Sequence, residues 1–319
     1  MLRPTALRKG FPDEAGGFKT GLTRRDSPPA CDTFETEQHR LGCNLNRRSA
    51  PKSASLIGAL FLLIAALPLE SAAEPAAPDA IVAEIGASAM LFNYHEYDDA
   101  GSILDKERGG IPGMSVKLGQ RLAAWQWESI ASYHHGRADY MGQTSTGVPY
   151  NTRTDETIED IALRLGCCFD GNRLWILYGG LGYRRWDRDI LPGTIGGMFE
   201  SYRWPYIWLG TRITPLQDDQ STLVLDVGLL KPLSPELRVD FKGAYNASPV
   251  VHPESKIGLR MMLTSKISLS ENTFLMLEPY YECWKLGRSA IVTTGGISVH
   301  EPASNTSNFG LNFRVARMF

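Results

Sequence analysis

One run of apolar residues, Leu56 to Leu67, is the only long hydrophobic segment in this 319-residue chain, and mean hydropathy is −0.19. A polytopic helical membrane protein, which needs several stretches of about 20 apolar residues, is thereby excluded. An excess of one charge sign is missing too: 33 Lys and Arg stand against 35 Asp and Glu. Cysteine is scarce, five in all, too few for a disulfide-dense scaffold. The 31 Gly and 19 Pro fall short of a collagen-like or low-complexity composition. Length allows one large domain or two ordinary ones.

The apolar run LIGALFLLIAAL is preceded by Arg47, Arg48 and Lys52 and followed by Pro68, Leu69 and Ser71-Ala72-Ala73. A basic flank, a short apolar stretch and a small-residue exit predict a secretory signal peptide over 53–73, too short to span a bilayer comfortably. Residues 1–52 show no sustained period of 2 or 3.6 and read as disordered, or as an extension upstream of the true translation start. Removing residues 1–73 leaves 23 basic against 28 acidic groups, a formal charge of −5, so a nucleic-acid partner is not expected. Of the cysteines, Cys167, Cys168 and Cys283 remain. Adjacent cysteines on a strand point to opposite faces, and no further ligands stand at metal-binding spacing, so they read as small apolar side chains. Neither a metal nor a cofactor is expected.

From residue 80 onward a period of two runs through the chain. Ile81, Ala83, Ile85, Ala87, Ala89 and Leu91 alternate with Glu84, Gly86 and Ser88, and Phe309, Leu311, Phe313 and Val315 alternate with Asn308, Gly310, Asn312 and Arg314. Similar alternation falls at 114–122, 160–169, 207–213, 223–229 and 256–264. Less regular, aromatic-rich segments at 125–141, 173–190 and 273–288 complete ten predicted strands. No stretch has a convincing helical period. Breaks are short at Ala123-Ala124, Asp170-Gly171-Asn172 and Ser270-Glu271-Asn272, and longer near 98–108, 142–154, 190–199, 231–254 and 289–304. The piece 236–246 is assigned to the long fourth loop; were it a spanning strand, a second would be needed and the count would be twelve.

Alternation alone suits a soluble sandwich as well as a membrane barrel. Three features favour the barrel. An export signal is present. Aromatics gather near strand ends (Tyr94 and Tyr97, Trp125 and Trp127, Tyr183 and Trp186, Tyr202 and Trp204, Tyr280, Tyr281 and Trp284), as in interfacial girdles. The polar parity is charged: Glu84, Lys117, Arg121, Glu128, Asp160, Arg164, Arg184, Arg212, Asp226, Lys256, Arg260, Glu278, Glu282 and Arg314, eight basic against six acidic groups. In a barrel the apolar parity meets lipid, closure satisfies the backbone, and these charges become a near-balanced polar network in the lumen, better suited to a packed plug than to a wide conduit.

On that pattern, roughly residues 80–319 of the expected barrel domain 74–319 resemble bacterial outer-membrane β-barrel proteins of the Gram-negative, porin-like kind. The final strand NFGLNFRVARMF, closing on an aromatic, carries the resemblance furthest. It implies an outer-membrane location, an all-β, antiparallel up-and-down transmembrane barrel of about ten strands with short periplasmic turns and long extracellular loops, and outer-membrane lipid as a partner. It also implies that Phe309, Leu311, Phe313, Val315 and Phe319 carry the signal read by the barrel-assembly machinery.

Ten strands are also similar to the omptin proteases, which set acidic pairs and a His above the rim. Asp98, Asp99, His134, His135, Asp187 and Asp189 are the candidates for that chemistry, a carboxylate and a His together activating water. The family's D-x-H spacing on one strand is absent. Lipid A deacylases pair His with Ser; His300 and Ser304 lack the family's H-x-S arrangement. Gly179-Gly180-Leu181-Gly182 lacks the nucleotide-fingerprint spacing and falls mid-strand, where glycine relieves crowding. The expectation is therefore an integral barrel of structural, adhesive or minor-pore role, without evident catalytic chemistry. A barrel-embedded hydrolase and a periplasmic β-sandwich binding protein are the alternatives, and the sequence names no extracellular ligand.

Overall fold

The computed structural model describes residues 80–143, 148–168, 174–192, 197–218 and 220–319. The signal-peptide segment, the N-terminal extension and the turn Asp170-Gly171-Asn172 lie outside them. In chain order the strands are β1 (Ile81–Tyr97), β2 (Ile103–Leu122), β3 (Trp125–Gln143), β4 (Pro149–Cys168), β5 (Trp175–Ile190), β6 (Met198–Gln217), β7 (Ser221–Pro232), β8 (Glu236–Asp240), β9 (Val250–Val251), β10 (Glu254–Ser255), β11 (Gly258–Ser270), β12 (Thr273–Gly287), β13 (Val292–Thr294), β14 (Ile297–Val299) and β15 (Ala303–Met318).

Ten of these close on themselves: β1 to β7 in sequence, then β11, β12 and β15, which pairs back to β1 in the register Ala87↔Phe313. Every barrel neighbour is antiparallel, so closure leaves no open edge. The parity rule holds around the wall. Leu311, Phe313 and Val315 are 43%, 50% and 43% exposed, and Leu163, Leu181 and Leu209 reach 58%, 65% and 60%. Side chains of this kind at this exposure have no second sheet to pack on. They form a belt for hydrocarbon, and the sandwich alternative is excluded.

The belt has an edge that can be followed through the register. Leu91 stands beside Phe309, Phe309 beside Tyr281, Tyr281 beside Met261, and Tyr183 beside Ile161. Beyond that line the outward parity turns charged, with Lys106, Arg108, Arg137 and Arg203 exposed. A tilted strand needs about 10 residues to cross a bilayer, whereas β2, β4 and β6 have 20 each. Roughly half of each long strand therefore stands clear of the hydrocarbon.

That height corrects three sequence-based expectations. Much of the polar segments near 98–108 and 142–154 is strand rather than loop, because hydrogen bonding between neighbours continues past the belt where apolar alternation stops. Residues 236–240 within the assigned fourth loop form β8, which pairs with β6 at Phe199–Arg203 after β7 has ended at Pro232. Pro232 and Pro235, lacking amide donors, interrupt one edge that then resumes; β8 prolongs the wall without adding a spanning strand, and ten stands. Finally, Tyr94, Trp186, Tyr202, Trp204, Tyr280 and Trp284 are not girdle residues. All are buried on the lumen side, while Trp125, Tyr183 and Tyr281 do face outward.

The narrow interior explains the glycines. Gly182 lies opposite Tyr206, Gly210 opposite Tyr178 and Gly310 opposite Tyr280. In each pair the tyrosine ring lies where a glycine Cβ would be, so inward aromatics lie flat across neighbouring strands.

Candidate functional site

The lumen has two storeys. The first lies within the belt and is ionic. Arg164 bridges Glu128 at 2.6 Å and Asp226 at 3.0 Å, and Arg212 bridges the same two carboxylates at 2.8 and 3.1 Å. Lys117 reaches Glu84 at 2.7 Å, and Arg314 joins Glu84 to Glu278. A second group has Arg184 on Glu282 at 2.8 Å and Asp160 at 3.5 Å, with Arg260 on Glu282 at 3.5 Å. Arg164 also lies 4.3 Å from the centre of the Trp208 ring and 4.6 Å from that of Tyr178.

Two of the fourteen residues expected here stand outside this ionic cluster. Lys256 is exposed beside Glu254, and Arg121, near the end of β2, lines the mouth of the lumen at the short-turn rim. Without them six cations meet six carboxylates, the neutrality that a closed low-dielectric interior requires. No strand supplies more than two of these groups; closure alone assembles them.

The second storey lies beyond the belt, toward the long loops. Its centre is Arg188, fully buried, bonded to Glu200 at 2.6 Å, Glu107 at 2.9 Å and Glu96 at 3.2 Å, and to the phenol oxygens of Tyr94 and Tyr202. Glu156 accepts the Trp186 indole N–H at 2.6 Å and lies against Glu107; Glu301 accepts the Tyr202 hydroxyl at 2.6 Å. Three buried glutamates thus share one guanidinium, and two more, Glu156 and Glu301, stand beside the cluster. Burial, reinforced by Glu107, raises the Glu156 carboxyl well above its usual range; burial, reinforced by Glu200, raises Glu301 to about 7. Around this cluster pack Phe92, Trp204, Trp284, Leu237, Val251 and Val299, with Trp186 stacked on Tyr202 at 4.8 Å.

Sequence reading missed this storey. The signal was the same parity carried further: Glu96 continues Glu84, Glu107 continues Lys117, Glu156 continues Asp160 and Arg188 continues Arg184, each an even number of residues on.

The residues considered for hydrolysis do not converge. His134 points into the lumen, buried, with Nε2 2.8 Å from the Ser88 hydroxyl, which donates to Asn312. His135 points outward, 3.0 Å from the Thr157 hydroxyl. Asp187 is bound by Arg185 and the Ser201 hydroxyl, and Asp189 by Lys242, both on the outer face. Asp98 accepts the Ala100 and Ser102 amides of its own turn, and Asp99 pairs with Arg288 at 3.3 Å. His134 and the Asp187 and Asp189 carboxylates lie on opposite faces of one wall and cannot share a water molecule. His135, on the same face as Asp187, is separated from it by the Thr157 strand and bonded to the Thr157 hydroxyl, with Asp187 taken by Arg185 and Ser201. Of the second pair weighed, Ser304 is buried on the lumen side of β15 and His300 lies in the preceding loop.

Among solved structures, the outer membrane protease OmpT from Escherichia coli aligns with 76% of this chain and 97% of its own, at a TM-score of 0.50 and 10% identity. The fold is that of an outer-membrane β-barrel. The translocator domain of the autotransporter NalP from Neisseria meningitidis aligns over 82% of this chain and 95% of its own, with a TM-score of 0.38 and 14% identity. The outer membrane protein OprG from Pseudomonas aeruginosa aligns over 76% and 96%, with a TM-score of 0.34 and 8% identity. No protein-family profile and no curated protein matches the sequence. Likeness at such identity extends to the barrel and leaves the chemistry of this one to its own residues.

Proposed function

We propose that this chain is an integral outer-membrane barrel with a closed lumen, serving as a structural or adhesive element rather than as a conduit or hydrolase. One observation carries the reading: Phe92, Trp186, Tyr202, Trp204 and Trp284 fill the interior beyond the belt at 3% exposure or less. With ion pairs below them and apolar loop residues above, an ion crossing this lumen would have to break a packed core. The minor-pore version is set aside on that ground, and the hydrolase version on the divergence of its candidate residues.

In this reading the rim that carries the turns at 123–124 and 271–272 faces the periplasm, and the long loops face outside. Export uses the apolar segment at 53–73. Phe309, Leu311, Phe313, Val315 and Phe319 supply the assembly signal. The alternating side chains of β15 support that role, because their outward parity is what a partner strand or lipid meets first.

Planar-bilayer conductance tests the closed lumen. The refolded barrel is expected to be silent, and a Trp204→Ala/Trp284→Ala double variant, which removes two touching indoles (5.6 Å between ring centres), is expected to show intermittent steps. Steady conductance from the unaltered protein sinks the proposal.

A further inference from the structure

Below the ionic storey the lumen is not filled. A cavity of about 580 Å³ opens at the short-turn rim, where Asp218, Gln220 and Glu271 edge its mouth. Lys117, Glu84, Glu128 and Arg212 form its charged end, while Ile176, Val224, Met262 and Met276 contribute apolar wall. A volume in this range, with apolar wall beside converging charged and polar side chains, suits a small amphiphilic molecule.

Four basic side chains (Lys117, Arg121, Arg212 and Lys266) and four acidic ones (Glu84, Glu128 and, at the mouth, Asp218 and Glu271) line it, but the ion pairs leave Lys266 over. Glu84 is taken by Lys117 and Arg314, Glu128 by Arg164 and Arg212, and Asp218 accepts the amides of Gln220 and Ser221 in its own turn. Lys266 enters from β11 and has no carboxylate within 4.0 Å among the described residues. Its ammonium lies 3.5 Å from the centre of the Phe274 ring, and the charged groups acting on it are Arg121, Lys117 and the already engaged Glu84. An ammonium with unused donors, partly withdrawn from water and crowded by two other cations, is relieved by an anion.

We propose that this vestibule binds a small anionic amphiphile from the short-turn side, with its phosphate or carboxylate on Lys266 and its alkyl part along Val224, Met262 and Met276. The proposal draws on the closed-lumen reading only for the single opening. Binding stands or falls independently of conductance, so failure here leaves the closed barrel untouched.

The test uses the full refolded barrel in zwitterionic nanodiscs and isothermal titration with hexyl phosphate, hexanoate, inorganic phosphate and hexanol. At least one of the two amphiphilic anions is expected to bind, and whichever binds identifies the head group. Inorganic phosphate and hexanol are expected to bind at least about tenfold more weakly. Lys266→Met is expected to lose about tenfold, the size of one charge-assisted contact, while Lys266→Arg keeps binding. Heat-modifiable migration establishes that each variant is folded. No binding of either anion, undiminished binding by the folded Met variant, or equal binding of hexanol or of inorganic phosphate overturns the proposal.

Discussion

Arg188 shows how a single residue organises the far end of the barrel. Its guanidinium is shared by Glu96, Glu107 and Glu200, with Glu156 and Glu301 close by. Five carboxylates cannot all ionise around one cation in a dry core, so protons complete the balance. Glu301 holds its proton to about 7 when folded, against an ordinary value of 4.5. Between those values folded Glu301 binds more of its proton than the unfolded chain does, so the stability it contributes is fully present below about pH 4.5 and is lost as pH rises toward 7. The urea midpoint of the native protein is expected to drop across that window, and Glu301→Gln to flatten the slope. An unchanged slope in that variant would assign the proton elsewhere, with Glu156, whose carboxyl shifts in the same direction, next in line.

At the scale of the element, the spanning strands were legible because lipid imposes one requirement on every second residue. Their extensions were not: past the belt the outward side chains are largely charged or polar, Lys106, Arg137, Thr157 and Asn305 among them, and a strand with polar residues on its outer face reads as loop. The inward aromatics misled for the same reason. Tyr94 and Trp186 stand near strand positions where a girdle would lie, and only parity distinguishes lumen from lipid. Cross-strand glycine and tyrosine pairs hold the interior together, so Gly182→Leu, which must displace the Tyr206 ring, is expected to cost about 1–3 kcal/mol by overpacking. Gly179, whose parity faces outward and whose added Cβ would meet only Leu209 at 3.5 Å, is the control. Gly179→Ala is expected to refold with yields near those of the native chain, and comparable losses for the two variants would count against the pairing argument.

For the whole molecule, closure is the feature on which the rest depends. Ten antiparallel strands leave no backbone edge in hydrocarbon, which predicts heat-modifiable migration in SDS gels and partition into the membrane fraction. A charge placed on the belt tests which solvent the belt meets. Phe313→Lys is expected to destabilise the barrel by about 2–4 kcal/mol if the residue sits at bilayer mid-depth. The same change at Arg203, outward and beyond the belt, is expected to be nearly silent. A tolerated Phe313→Lys would mean that water, not lipid, covers that face.

The sequence by itself determined the period, the parity, the sign of each face and so the barrel with its ten strands, because a side chain's face follows from counting along one strand. It also named thirteen of the lumen charges, which share a parity, but not their partners: Arg164 meets Asp226 across 62 positions and Arg184 meets Glu282 across 98. Only closure in three dimensions brought those groups together, seated the aromatics in the outer lumen and left Lys266 without a carboxylate among the described residues. Pairing energy depends on distances between strands, and those are set by the cylinder rather than by any segment of the chain.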